Sequence, residues 1–152
     1  MWCMAGKADR SRGASAGLRP RAYVDTSALI AFADRSDSFH SLFRRLFADP
    51  PPLVTTTLVV AEGHGWFLRR YDRWRALQFL AMVEAMTPLR VAAVGSKEQT
   101  AAAGLVRRFA DQQLTLVDAV GLHLSRVRRV TEVWSTDRHL GLTGVPLVVD
   151  RG

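Results

Sequence analysis

Residues 22–32 read AYVDTSALIAF, and this stretch sets a short apolar strand directly before a helix-forming segment. Residues 22–25 predict the first strand, and the hydroxyl groups of Thr26 and Ser27 can cap a helix through residues 28–32. Asp25 stands at the junction, where a carboxylate close to a core is costly unless its charge is compensated. The stretch therefore predicts a strand–helix unit with an acidic group between its two elements.

The rest of the chain repeats this alternation of short apolar strands and helix-period segments. Further strands are predicted at residues 53–55, 90–94, 132–135 and 145–149, with helices in the intervals. Alternation of this kind is typical of α/β domains whose strands run parallel. The sequence therefore predicts an α/β fold with a short parallel sheet of about five strands.

The composition fits one folded domain preceded by a basic extension. The chain has 152 residues, 48% of them hydrophobic, which is enough to bury a core. The net charge is +7, but residues 1–21 hold five basic side chains against one acid. We predict a flexible basic extension at residues 1–21 and a folded domain at residues 22–150. No apolar run approaches the roughly 18 residues that span a bilayer, and Cys3 is the only cysteine. We therefore expect a cytoplasmic protein without a membrane partner.

Four carboxylates follow or interrupt apolar or small-residue segments, at Asp25, Glu62, Asp118 and Asp137. Asp25 and Asp137 come just after predicted strands, and the other two lie in the early turns of predicted helices. Functional groups of parallel sheets gather beyond the carboxyl ends of the strands, so the four side chains could converge there. Convergence would demand protonation or a cation. Oxygen ligands suit Mg²⁺ or Mn²⁺, which bind phosphates and activate water, so the pattern favours hydrolysis of nucleic acid.

Each acid also has a purely structural interpretation. Asp25 could cap the following helix, Asp118 could be a first-turn acid favoured by the helix dipole, and Asp137 could be a turn residue. Glu62 could be a solvated helix residue. Taken singly, these interpretations fit as well as the functional ones. A phosphate-transfer enzyme with Asp25 as nucleophile is disfavoured, because Ser27 stands where a second aspartate is needed and the sequence has no glycine-rich phosphate loop.

Four sequence blocks resemble those of the PIN domain, and more narrowly those of the VapC-like toxin ribonucleases. The blocks are VDTSAL at residues 24–29, TTTLVVAE at residues 55–62, LTLVDA at residues 114–119 and STDRHL at residues 135–140. Their order and spacing are similar to the family's over residues 22–150. Residues 1–21 depart from the family, whose members normally begin almost at the first strand.

The resemblance implies a three-layer α/β/α fold and metal-dependent cleavage of RNA that leaves a 5′-phosphate. It assigns the binding of Mg²⁺ or Mn²⁺, directly or through water, to Asp25, Glu62, Asp118 and Asp137. It also implies that Ser27 orients the first acid or a metal-bound water, and an ordinary helix cap is the alternative for this residue.

The resemblance also implies partners: an RNA substrate, a small antitoxin and a second copy of the chain in a homodimer. Arg138 and His139, beside the last acid, are expected to contact substrate phosphate. The leading hypothesis is thus a Mg²⁺- or Mn²⁺-dependent endoribonuclease that acts as the toxin of a toxin–antitoxin pair. The alternative is a non-catalytic or housekeeping protein of the same fold that binds or processes RNA.

A basic and aromatic cluster spans residues 66–75, which read WFLRRYDRWR. It could contact an RNA backbone or a protein partner, or it could be a solvated arginine face above an apolar core stripe. We favour the second interpretation, in which the side chains of Trp74, Leu77 and Leu80 face inward.

Overall fold

The computed structural model describes residues 18–142 and 144–151, in which short strands alternate with helices. In chain order the main elements are β1 (Ala22–Val24), α1 (Thr26–Ala33), α2 (His40–Leu46), β2 (Leu53–Thr56), α3 (Thr57–Arg70), α4 (Arg73–Ala85), β3 (Leu89–Ala92), α5 (Ser96–Arg108), α6 (Leu116–Val127) and β4 (Glu132–Trp134). Short 3₁₀ helices occupy Ala110–Gln112, Arg138–Gly141 and Val148–Arg151. The α/β class predicted from the sequence is confirmed.

The sheet is parallel throughout, with the strand order β3–β2–β1–β4. Ala22 lies opposite Leu53 on one side and opposite Glu132 on the other, so β1 is an inner strand. Helices α1 to α4 pack together, while α5 packs on α6, which also contacts β1. The sheet thus lies between two groups of helices, as the three-layer expectation requires. Because the strands run the same way, the residues that follow β1 and β4 are neighbours at one edge.

Side-chain caps fix where the helices begin. Asp25 accepts a hydrogen bond from the Ser27 backbone N–H and caps α1. Thr56, the last residue of β2, caps α3 with no intervening loop. Asp72 caps α4, and its carboxylate accepts from the backbone N–H of Arg75 at 2.9 Å. Each cap satisfies an N–H that the helix itself leaves unpaired.

The expected fifth strand at residues 145–149 is wrong. Within the described residues this segment makes only an isolated parallel bridge, between Val133 and Leu147, and then turns into the 3₁₀ helix Val148–Arg151. Pro146 explains the difference, because it accepts a bond from the Val133 N–H but has no N–H with which to continue the ladder. The sheet therefore has four strands.

The inward face expected for α4 is wrong at Trp74 and Leu77, whereas Leu80 is partly buried and packs against the core as expected. Trp74 is 64% exposed and Leu77 is 47% exposed, whereas the buried side chains of α4 are Ala76, Phe79 and Val83. Both the expected and the observed residues have the spacing of a single helix face, and the observed face is rotated about the helix axis relative to the expected one. Gly63 in α3 decides between them, because a Cβ atom there would lie 2.3 Å from Cζ of Phe79. Only a glycine lets the Phe79 ring approach α3 so closely.

The predicted basic extension falls mostly outside the described residues, at positions 1–17. Its last residues pack against the domain: Pro20 is buried, and the Arg21 N–H donates to the Pro52 carbonyl at 2.7 Å. The Arg19 guanidinium donates to the carbonyl of Arg129. Among the helices of the described ranges, none combines the length and the apolar composition needed to cross a bilayer.

Candidate metal centre

Asp25 lies at the carboxyl end of β1 and is almost fully buried, with 4% of its surface exposed. Its backbone N–H continues the ladder by donating to the Trp134 carbonyl at 3.0 Å. Its Oδ2 atom accepts from the Ser27 hydroxyl at 2.8 Å and from the Ser135 hydroxyl at 2.9 Å. The carboxylate is therefore both the cap of α1 and a fixed acidic group at the strand end.

The two serines are oriented by the loop that follows β4. The Thr136 N–H donates to Oγ of Ser27 at 3.0 Å, and the Asp137 N–H donates to Oγ of Ser135 at 2.9 Å. With these lone pairs occupied, each hydroxyl proton is free to point at Asp25. The loop after β4 and the end of β1 are thus joined through two serine side chains.

Burial raises the pKa of Asp25 above its ordinary value. The hydrogen bonds from Ser27 and Ser135 stabilise the charged form but offset only part of this effect. A buried carboxylate that keeps a raised pKa despite such donors lacks a compensating cation close by among the residues that the structure describes. A divalent ion beside Asp25 would supply one.

Asp118 is held in the first turn of α6 by a capping box. Its Oδ2 atom accepts from the Thr115 hydroxyl at 2.7 Å and from the Thr115 N–H at 3.1 Å. Only 9% of the residue is exposed. Both of these contacts go to Oδ2, so they leave Oδ1 as the oxygen that can bind a ligand. The structural role expected for Asp118 is therefore real and compatible with ligation.

Asp137 caps the 3₁₀ helix Arg138–Gly141 and reaches the same place. Its Oδ1 atom accepts from the His139 N–H at 2.9 Å and lies 2.9 Å from His139 Nδ1. Ligand atoms of Asp118, Asp137 and His139 all lie within 4.8 Å of one another. Two carboxylates and an imidazole at this separation form a donor set that suits a divalent cation. Sequence reasoning gave His139 to the substrate phosphate, whereas the geometry groups it with the two acids.

Tyr23 is a member of this region that sequence reasoning missed. Its ring is buried, and its hydroxyl has no hydrogen-bond partner of ordinary geometry among the described residues. Burial raises the pKa of this hydroxyl, and the negative charges of Asp25, Asp118 and Glu62 raise it further. One buried phenol therefore feels three of the four predicted acids. The sequence offered one indication, a residue with a polar tip inside the apolar strand before Asp25.

Gly121 allows α6 to pass close to this phenol. A Cβ atom at Gly121 would lie 2.8 Å from both Oη and Cε1 of Tyr23. The close approach brings the first turn of α6, with Asp118, to the end of β1. The packing of α6 against β1 thus brings the third sequence block, which contains Asp118, close to the first, which contains Asp25.

Glu62 differs from the other three acids because it is exposed, and neither Glu62 nor the buried Asp25 belongs to the group of ligand atoms within 4.8 Å of one another. Glu62 lies in the second turn of α3. Its negative charge raises the pKa of Tyr23 less than the charges of Asp25 and Asp118 do, so it lies within electrostatic range of that hydroxyl. Arg138 is exposed beside Asp137. The structure thus links Asp25 to Asp137 by hydrogen bonds, sets Asp118 against Asp137, and leaves Glu62 at the edge.

The residues present fit a divalent cation. Oδ1 of Asp118 is free of the capping contacts, and burial raises the pKa of Asp25. Among the described residues, the buried Tyr23 hydroxyl lacks a hydrogen-bond partner of ordinary geometry. These are the marks of a polar site whose charge balance is completed by a ligand. Mg²⁺ and Mn²⁺ match the oxygen-rich donor set.

This parallel sheet with acids beyond its strand ends is that of the PIN domain. The family model for the PIN domain matches residues 22–144, and the chain belongs to this family.

Two comparisons point to one relative within the family. The chain is 28% identical over 123 residues to the 23S rRNA-specific endonuclease VapC20 of Mycobacterium tuberculosis, a match that covers 80% of this chain and 93% of that protein. The crystal structure of that protein, described as a sarcin-ricin loop cleaving toxin, superposes with a TM-score of 0.75 at 25% identity. The superposition covers 82% of this chain and 95% of the other.

A more distant structure supports the fold alone. PAE2754 from Pyrobaculum aerophilum superposes with a TM-score of 0.58 at 19% identity, covering 88% of this chain and 93% of that one.

Proposed function

We propose that this protein is an endoribonuclease that depends on Mg²⁺ or Mn²⁺ and acts as the toxin of a toxin–antitoxin pair. One observation carries the proposal: ligand atoms of Asp118, Asp137 and His139 lie within 4.8 Å of one another, beside the hydrogen-bonded Asp25. Membership of the PIN family supports the nuclease class, and the rRNA endonuclease among its relatives supports RNA as substrate.

Each residue of the site has a proposed task. Asp118 and Asp137 hold the metal, and Asp25 adds negative charge from the buried side. Ser27 and Ser135 keep the Asp25 carboxylate in one orientation through their bonds of 2.8 and 2.9 Å. A bound metal would orient the phosphodiester, lower the pKa of an attacking water and stabilise the leaving oxygen.

The roles proposed for the more exposed residues, Glu62, Arg138 and His139, depend on how far each side chain lies from the grouped ligand atoms. Glu62 would contribute negative charge to the metal site from a greater distance, directly or through water, because its carboxylate stands outside the group of ligand atoms within 4.8 Å. Arg138 binds a substrate phosphate from the surface. His139 is either a ligand or a phosphate contact, and its bond to Asp137 through Nδ1 leaves Nε2 for either task.

The proposed partners follow the same reasoning. An antitoxin and a homodimer are proposed from the resemblance to VapC-like toxins, and a cytoplasmic location follows from an RNA substrate. Expression of the toxin without its antitoxin should arrest growth, and a small neighbouring gene product should relieve the arrest. A housekeeping RNA-processing protein would cause no arrest.

RNA cleavage by the full chain tests the nuclease proposal. Wild type with Mg²⁺ or Mn²⁺ should cut RNA, and a chelator should abolish cleavage. Asp118→Asn and Asp137→Asn should each lower the rate about 100-fold or more, because each removes a charged ligand. The control is Asp111→Asn, which changes an exposed acid in another 3₁₀ helix. Cleavage that persists with chelator and in both site variants would overturn the metal mechanism.

A further inference from the structure

The turn between α3 and α4 carries arginines and aromatic rings in close succession. Residues 69–75 read RRYDRWR and are all exposed; we call them the hairpin-tip surface. The surface holds four arginines against one acid, and that acid, Asp72, is engaged as the cap of α4. Trp74 is 64% exposed, which is unusual for the largest apolar side chain. The turn is thus a cationic surface with an accessible ring.

Guanidinium groups lie over the aromatic rings of this surface, and Trp74 nevertheless remains 64% exposed. Arg73 lies over the Trp74 ring, 4.9 Å from its centroid. Arg75 and Arg70 lie over the Tyr71 ring at 5.1 and 5.7 Å. Arginine planes beside aromatic faces offer both phosphate contacts and stacking, the two contacts that single-stranded nucleic acid requires.

The tip is anchored to the domain through Tyr71. Its hydroxyl donates to Oδ2 of Asp34 at 2.8 Å, and Oδ1 of Asp34 accepts from the Ser36 hydroxyl at 2.8 Å. The Tyr71 ring also stacks on Phe67, with centroids 6.1 Å apart. Because Tyr71 is already held in place, the residues beside it in the turn should lose little conformational entropy when a ligand binds.

The same surface is connected to the candidate metal centre by two helices. Asp34 follows α1, the helix that Asp25 begins. Along α3, Glu62 and Arg69 are two turns apart on one face, about 10 Å along the axis. The Arg69 guanidinium folds back between them, with Nη1 3.0 Å from the position of a Cβ atom on Gly65. Positive charge therefore continues from the tip along α3 in the direction of Glu62.

We propose that the hairpin-tip surface binds unpaired nucleotides of an RNA strand whose scissile bond lies at the candidate metal centre. A base stacks on Trp74, and the arginines contact the flanking phosphates. This inference rests on the proposed ribonuclease function. RNA is favoured over a protein partner because the four arginines outnumber the two carboxylates beside them, Asp72, which caps α4, and Asp34, which is bonded to Tyr71 and lies near Arg75, and a polyanion complements this excess positive charge.

Binding to a labelled, unstructured twelve-nucleotide RNA tests the inference, measured by fluorescence anisotropy on the full chain. A chelator is present throughout, so that nothing is cleaved. Trp74→Ala should weaken binding about 5- to 100-fold without changing its salt dependence, since stacking carries no charge. Trp74→Phe should restore most of the affinity. Arg73→Gln should lower the slope of log affinity against log salt by about 0.7.

Two matched variants control for unspecific effects. Arg108→Gln removes a charge that likewise lies beside a ring, 5.5 Å from the centroid of Phe109, but on α5. Leu77→Ala removes an exposed apolar side chain one turn beyond Trp74. Both should bind the RNA within about twofold of wild type, because neither belongs to the proposed surface.

Two outcomes would overturn the inference. One is wild-type RNA affinity in both Trp74→Ala and Arg73→Gln. The other is a homodimer, seen by light scattering, that Trp74→Ala dissociates while RNA affinity stays unchanged; the surface would then be a protein interface. If the wild type binds RNA in a way that depends on Trp74 but cleaves no RNA with Mg²⁺ or Mn²⁺, only the proposed function is refuted.

Discussion

Ser135 is not proposed to contact RNA or metal, but we expect Ser135→Ala to disturb the candidate metal centre by removing the hydrogen bonds that join Asp25 to Asp137. Ser135 is fully buried; its hydroxyl donates to Asp25 at 2.9 Å and accepts from the Asp137 N–H at 2.9 Å. Losing a hydrogen bond to a charged group costs about 1.5–3 kcal/mol. The Asp137 side chain is 36% exposed, and we therefore count only the lost bond to Asp25 in the magnitude. We expect a loss of about 2 kcal/mol, or roughly 4–8 °C in the unfolding midpoint for a chain of this length.

The functional consequence separates positioning from simple destabilisation. Ser135→Ala removes the bridge between Asp25 and the backbone of Asp137, so cleavage should fall about 10- to 100-fold, the range seen when residues that orient metal ligands are changed. RNA affinity with chelator present should stay unchanged. Thermal unfolding, single-turnover cleavage and anisotropy measure the three quantities on one preparation.

Ser125→Ala is the matched control. Ser125 is equally buried, and its hydroxyl donates to the Gly121 carbonyl at 2.7 Å inside α6. It should cost about 1 kcal/mol and leave cleavage unchanged. The reasoning is refuted if Ser135→Ala unfolds and cleaves like wild type, or if the control damages cleavage to the same extent.

Two further perturbations test the packing around the site and the hairpin tip. Burial tends to raise the pKa of Asp34, but hydrogen bonds from Ser36 and Tyr71 outweigh this effect and hold the pKa below its usual 3.8. The ionised carboxylate therefore stabilises the folded state above pH 3.8, and this stabilisation is lost as the pH falls through the folded-state pKa. Asp34→Asn should therefore flatten the acid side of the pH–stability curve measured by urea unfolding, and an unchanged curve would contradict this assignment. Gly121→Ala should destabilise the protein by about 1–3 kcal/mol, because the new methyl group would lie 2.8 Å from Tyr23. Gly104→Ala, where a Cβ atom meets nothing within 4 Å, should instead stabilise α5 by about 0.5–1 kcal/mol, and equal effects of the two substitutions would rule out the proposed contact.

The parts of the site that follow strands were predictable from the sequence. Asp25 and Asp137 come directly after apolar segments, and parallel strands carry their following residues to one edge. The cap of α1 was predicted only as an alternative: the structure gives this role to Asp25, whereas Thr26 and Ser27, the caps expected first, lie inside the helix. These features depend on neighbours in the chain, and a single sequence contains that information.

The features that were missed depend on contacts between distant segments. The rotation of α4 is set by the fit of Phe79 against Gly63, and the spacing of Trp74 and Leu77 gives no hint of it. The end of the sheet is set by Pro146, whose carbonyl bonds to Val133 while its nitrogen donates nothing. The grouping of His139 with Asp118 requires α6 to pass over Tyr23 at Gly121.

Calorimetric titration of Mn²⁺ into the full chain is the most direct test of the candidate metal centre. The structure predicts saturable binding that weakens at least about 10-fold in Asp118→Asn and in Asp137→Asn, since ligand atoms of these acids lie within 4.8 Å of each other. Asp111→Asn should bind like wild type. Undiminished Mn²⁺ binding in both site variants, or no binding by wild type, would contradict a metal centre at this end of the sheet.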